Sequence, residues 1–144
     1  MSLEIIIYTD GACLGNPGRG GWAAALIYKD HYKEISGNEV HTTNNRMEMR
    51  AVIEGLRVLK KASQVHIYTD SKYVMDGMTK WIFGWKKNGW KGSDKKPVKN
   101  IDLWQDLDLE VQKHQISWTW VKGHSGNKYN EIVDVLARNA AEKV

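Results

Sequence analysis

Apolar and polar positions alternate with two different periods along the chain, and the order of those periods sets the expected fold. Residues 4–14, EIIIYTDGACL, open with a continuous apolar run and read as a central strand. GNPGRGG (15–21) reads as a loop on composition. WAAALIYK and YKEISGNEV, joined around Lys29, Asp30 and His31, read as a hairpin of two more strands. TTNNRMEMRAVIEGLRVLKK has a helical period: Arg50, Glu54, Arg57 and Lys61 share one face, and Val52, Leu56 and Leu59 lie opposite. VHIYTD is a fourth strand, and TDSKYVMDGMTKWI begins like a capped helix. NIDLWQDLDLEVQK is another helix, with Asn100 as its cap. QISWTWV sets Ile116, Trp118 and Trp120 on one face of a fifth strand, and NKYNEIVDVLARNAAEKV closes the chain as a helix.

The order is therefore βββαβααβα. Three consecutive strands predict an antiparallel meander, and later strands separated by helices predict parallel additions. The expectation is an α/β fold with a five-stranded mixed sheet flanked by helices. The chain of 144 residues suits a single domain, 1–144, with one core.

Composition removes several function classes. One cysteine, Cys13, excludes an intrachain disulfide, and no C-x-x-C or H-E-x-x-H zinc pattern occurs. The start lacks the pattern of a secretory leader, and no apolar run reaches membrane-spanning length, so a cytoplasmic protein with no membrane partner is expected. The net charge of +4 is unevenly spread. Residues 80–100, KWIFGWKKNGWKGSDKKPVKN, hold seven Lys and one Asp, leaving the rest of the chain net negative. Such a segment can track phosphates.

Two strands end alike, in EIIIYTD and QVHIYTD. Alternation puts Ile6, Tyr8 and Asp10 on one side of the first, and His66, Tyr68 and Asp70 on one side of the second. Neighbouring strands in register would bring the two Asp together. Each also has a local explanation: Asp10-Gly11 is a turn signal, and Asp70 is a good N-cap before Ser71. Glu48 falls in the middle of an apolar helical face, where an unpaired carboxylate is costly. Its local alternative is a capping role with Asn45, three residues earlier. Asp134 lies at the edge of the apolar stripe of the last helix. Four acids on strand ends and sheet-facing helix sides repel unless a cation joins them, and a hard divalent ion with oxygen ligands fits. Two such ions about 3.5–4 Å apart would clamp a phosphoryl group.

Five blocks then carry a resemblance: YTDGACLGNPG, TTNNRMEMRA, YTDSKYV, WKKNGWKGSDKKPVKNIDLW and WVKGHSGNKYNEIVDVLA. Together, and in this order, they resemble type 1 ribonuclease H in its bacterial form, almost from end to end. The resemblance implies the ribonuclease H-like fold and an endonuclease that cuts the RNA strand of RNA–DNA hybrids, leaving 5′-phosphate and 3′-hydroxyl ends. The alternative is a hybrid-binding module without catalysis. The resemblance places the metal-binding acids on Asp10, Glu48, Asp70 and Asp134, and a catalytic histidine on His124. It implies two Mg²⁺ ions with substrate bound, Mn²⁺ being the alternative metal, and a monomer. Substrate contacts fall on Asn16, Asn44 and Asn45, whose amides both donate and accept and so suit a 2′-hydroxyl. Thr43 resembles part of a pocket for a DNA phosphate. The basic segment, about 80–100, corresponds to a protrusion in which Trp81, Trp85, Lys86 and Lys87 meet the substrate, with Trp90 and Trp104 left to packing. Lys72 falls among the substrate contacts too, but it is one of three departures from the family pattern, standing where relatives often carry Gln beside the RNA strand; the others are Gly84 and Arg19. Substrate affinity is where those departures are expected to act.

Overall fold

Five strands form one sheet in the order β3-β2-β1-β4-β5. The computed structural model describes residues 4–123 and 126–144. Its elements are β1 (Ile5–Leu14), β2 (Gly18–Tyr28), β3 (His31–Thr42), α1 (Asn44–Arg57), β4 (Gln64–Thr69), α2 (Lys72–Asp76), α3 (Ile82–Lys87), α4 (Ile101–Gln112), β5 (Gln115–Trp120) and α5 (Lys128–Glu142). A π-helical turn, Gly77–Trp81, joins α2 to α3. The first three strands pair antiparallel, and β4 pairs parallel with both β1 and β5. This is the mixed sheet expected from the order of periods.

Helices cover both faces. On one side Ile7, Ile67 and Val65 meet α1 through Met49, Val52, Ile53 and Leu56, and α4 adds Leu103, Trp104 and Leu107. On the other, α5 lays Val133 and Ala137 on Ala23 and Ala25. Small residues make that second contact close: a Cβ on Gly21 would overlap the Ala137 carbonyl oxygen and the Ala141 nitrogen. The same requirement explains why GNPGRGG is not simply a loop. Gly18–Gly21 belong to β2, with a register irregularity between Gly18 and Gly20. A Cβ on Gly20 would strike Thr42 and Met47. Glycine here signals close approach of neighbouring elements rather than a turn.

Other boundaries differ from the periodic reading. The helix expected to continue to Lys61 ends at Arg57. Arg50, Glu54 and Arg57 keep their shared face as ion pairs of 3.6 and 3.0 Å, while Lys61 lies beyond it. The single helix expected in the seventies is interrupted by the π turn, where Gly77 sits against the indole of Trp104. Trp104 is fully buried, against Tyr73 and Trp85 with ring centroids 5.2 Å away in each case. Any side chain at 77 must displace that ring. Gly77→Ala is therefore expected to cost about 1–3 kcal/mol, as overpacking does, seen as a lower urea midpoint with an unchanged slope.

Candidate active site

Parallel pairing sets where the two Tyr-Thr-Asp strands meet. Tyr8 is in register with Tyr68 and Thr9 with Thr69, and the two tyrosine rings stack with centroids 4.6 Å apart. That ladder stops at Thr9 and Thr69, so Asp10 and Asp70 stand together at the carboxyl end of the parallel pair. Open α/β sheets favour ligands at such strand ends.

Neither aspartate does the local job its sequence suggested. Asp10 is no turn residue: β1 runs on through it, paired with Ala23, and Gly11 pairs with Trp22. Asp70 is no N-cap, because Ser71 caps α2 and accepts the Val74 N–H at 3.1 Å. Likewise Asn45 does not cap α1. Thr43 does, accepting the Arg46 N–H at 3.3 Å, which leaves Glu48 without a capping role. Gly11 brings β1 up to this helix, since a Cβ there would overlap the Glu48 nitrogen and Met47.

The result is a triad. Asp10, Glu48 and Asp70 each offer a carboxylate oxygen within 4.8 Å of the others. Asp10 and Glu48 are buried, and Asp70 partly so. Burial, reinforced by the Asp70 charge, pushes the Asp10 carboxyl up to about 8. Burial, followed by the charges of Asp10 and Asp70, raises Glu48 well above the ordinary range. Glu48 Oε1 and Asp70 Oδ1 are buried without a hydrogen-bond partner. Buried acceptors left open in a negative cluster are the donor set of a hard divalent cation, which prefers oxygen ligands. Asp134 lies on α5, where its carboxylate pairs with Arg138 at 3.0 Å. It is not among the three converging oxygens, although its charge is felt at Asp10.

The remaining predicted residues surround this centre in two groups. Asn16 accepts the Asn44 N–H at 3.0 Å, tying the β1–β2 turn to the start of α1 beside Thr43, and Asn45 is exposed there. Trp81 is exposed and next to Trp85, 6.0 Å between centroids, and Trp85 in turn packs on Trp90 and Trp104. Trp90 and Trp104 thus pack, as expected. Lys86 pairs with Asp108 at 2.8 Å, whereas Lys87 is exposed. The basic segment folds back on itself after α3 through a bridge between Lys91 and Pro97. His124 lies outside the described residues; Gly123 before it packs near Asp70 Oδ2.

Three side chains that the sequence did not assign to the site also belong to the surroundings. Arg46 grips Asp102 with two bonds of 2.7 and 3.0 Å and reaches Asn100 Oδ1 at 3.2 Å. Asn100 does begin α4, but in a left-handed conformation and without a side-chain cap bond, its amide donating instead to Tyr73 Oη at 2.9 Å. Trp120, which alternation puts on the same face as Ile116 and Trp118, is 38% exposed. Its Nε1–H donates to the Asp70 carbonyl oxygen at 3.1 Å. No periodicity reveals these; each depends on partners far away in the chain.

The RNase H family model matches residues 2–142. The chain belongs to the ribonuclease H family. A ribonuclease H of Aeromonas salmonicida is 61% identical over 141 residues, covering 98% of this chain and 92% of that protein. One of Marinobacter nauticus is 56% identical over 144 residues, covering 100% and 98%. Among solved structures, LC9-RNase H1, described as a type 1 RNase H with the type 2 active-site motif, superposes with a TM-score of 0.90 at 34% identity, over 99% of this chain and 74% of that one. The chain is thus a ribonuclease H enzyme with the ribonuclease H fold. The family depends on divalent metal, and the acidic triad is where this member can hold it.

Proposed function

We propose that this ribonuclease H hydrolyses the RNA strand of RNA–DNA hybrids with two Mg²⁺ ions held by Asp10, Glu48, Asp70 and Asp134. The observation that carries the proposal is the buried triad with its open oxygens on Glu48 and Asp70. Cations held there would lower the pKa of the attacking water and offset charge on the departing 3′-oxygen, and cleavage of that bond would leave 5′-phosphate and 3′-hydroxyl ends. The protein's part is placement. Strand ends and α1 hold the carboxylates rigidly, so their repulsion is stored until a cation offsets it. The carboxylates are ligands and do not attack phosphorus. His124 takes or relays a proton in the same reaction. Asn16, Asn44 and Asn45 meet the 2′-hydroxyls that distinguish RNA from DNA, and Thr43 takes a phosphate of the DNA strand.

The protrusion supplies affinity. Trp81 and Trp85 offer aromatic surface to a sugar, while Lys86, Lys87 and their neighbours follow the phosphates. Replacing Lys86, Lys87, Lys91, Lys95, Lys96 and Lys99 by Ala is expected to weaken hybrid binding and flatten its salt dependence. Each lost phosphate contact removes about 0.9 from the log–log slope. Turnover at saturating hybrid falls much less. Fluorescence anisotropy across a salt series reads the slope, and an unchanged slope would make the segment a solvated face.

The same proposal makes the protein a cytoplasmic monomer of one domain, 1–144. Among the described residues no helix is long and apolar enough to cross a membrane. The decisive experiment presents labelled RNA–DNA hybrid, duplex RNA and duplex DNA in Mg²⁺ and again in EDTA. Cleavage of the hybrid's RNA strand alone, and only with metal, is the expected result. Hybrid bound but left intact in Mg²⁺ would identify a binding module instead.

A further inference from the structure

Lys72 and Trp120 form a pair whose geometry exceeds a surface contact. Lys72 opens α2, two residues past Asp70, and Trp120 closes β5. Parallel register places Trp120 beside Thr69, so its indole reaches across the chain that leaves β4. Nε1–H bonds to the Asp70 carbonyl oxygen, and the ring face lies beneath Lys72 Nζ, 4.4 Å from the centroid. One indole therefore touches the backbone of a cluster acid and the side chain of the cation next to it.

Lys29 and Lys128 also lie over a ring, that of the residue beside each in the chain, at 5.5 and 5.4 Å, whereas Lys72 is closer, at 4.4 Å, to an indole from β5 that is itself bonded to Asp70. Lys80 pairs with Asp76, Lys86 with Asp108 and Lys113 with Glu110. Those charges are already offset by carboxylates within the protein. Among the described residues Lys72 makes no such ion pair; its partner is a π face. A ring attracts the ammonium but accepts no conventional hydrogen bond from it, so the donors stay available to an incoming anion. It also restricts a side chain that would otherwise lose much rotamer freedom on gripping a phosphate. Burial does not explain the arrangement, because Trp120 remains 38% exposed.

We infer that Trp120 is a positioning residue for substrate: it holds Lys72 so that the ammonium takes a backbone phosphate of the strand lying over the acid cluster. This rests on the proposed action on hybrid. In this protein the cation at 72 and the indole at 120 act as one unit, and the affinity contributed by Lys72 depends on the ring beneath it.

A double-mutant cycle tests the coupling. Hybrid affinity is measured by anisotropy in EDTA, and KM and kcat in Mg²⁺, for the parent, Trp120→Leu, Lys72→Gln and the double variant. Trp120→Leu is expected to weaken binding about three- to tenfold when Lys72 is present, and to have little effect when Gln stands at 72. KM rises more than kcat falls. Trp120→Phe, which keeps a ring face and loses the N–H, is expected to restore most of the affinity. Lys72→Gln alone, an exposed change that tests the charge without touching the indole, is expected to lower the salt slope by about 0.9. Equal losses from Trp120→Leu in both backgrounds would make Trp120 a structural residue and overturn the inference. So would an unchanged salt slope in Lys72→Gln. A parent that fails to cut hybrid would overturn the functional proposal, whereas a parent that cuts, but shows no coupling, would sink this inference alone.

Discussion

Asp10→Asn is expected to abolish cleavage of hybrid and, in EDTA at neutral pH, to melt higher than the parent. The loss follows from removing a carboxylate from the triad in which each oxygen lies within 4.8 Å of the others. The gain follows from the same crowding. Asp10 is pushed from 3.8 to about 8, by burial first and the Asp70 charge second. A carboxyl whose folded pKa lies above its unfolded value lends stability that is complete below the unfolded pKa and lost as pH rises through the folded one. Stability of the metal-free parent should therefore decline between about pH 4 and pH 8, with Glu48 acting in the same direction. Asparagine keeps the shape, stays neutral without the proton that Asp10 must take up on folding at pH 7, and removes the share of that slope belonging to Asp10. The gain at pH 7 is on the order of 1 kcal/mol, typical when strain at a functional site is relieved, or about 3 °C in Tm. Added Mg²⁺ should raise the parent's Tm more than the variant's, since only ligand bound to the native state stabilises it. Melting curves in EDTA and in Mg²⁺ at several pH values, beside a cleavage assay, test every part. A variant that cuts at the parent rate, or melts several degrees lower in EDTA, would show Asp10 to be structural.

His124→Ala is expected to slow turnover by about 10²–10⁴-fold, the range of a proton-transfer role, and to leave metal affinity nearly intact. The triad that offers metal ligands is complete among the described residues without it. Mg²⁺ titration by calorimetry on parent and variant separates the two roles. If metal affinity collapses, His124 is a ligand and the proton role is wrong.

Much of this protein was legible residue by residue. The period of two in QISWTWV and the helical period around Glu48 identify their elements without any tertiary information. Even the oddity of Glu48 was visible, since a carboxylate in an apolar stripe stands out against its neighbours. What misled was chemistry with more than one use. Asp-Gly can make a turn, and Asp before Ser can cap a helix. Here β1 extends through Asp10-Gly11, and Ser71 takes the cap. Glycines 18–21 can make a loop, yet they form the start of a strand where α5 and β3 press close.

By itself, then, the sequence determined the order of elements, the apolar faces and the family blocks, because periodicity and propensity act over a few neighbouring residues. Only the tertiary structure decided which acids meet. Asp10 and Asp70 are sixty positions apart, and their approach depends on the parallel register that stacks Tyr8 on Tyr68. Glu48 joins them because Gly11 lets α1 come close, while Asp134 remains paired with Arg138 on α5. Alternation gave Trp120 only a strand face; at the end of the β4–β5 ladder its indole meets Asp70 and Lys72. Each of these contacts closes a long loop, and its free energy comes from packing and pairing between distant segments, which no local window of sequence contains.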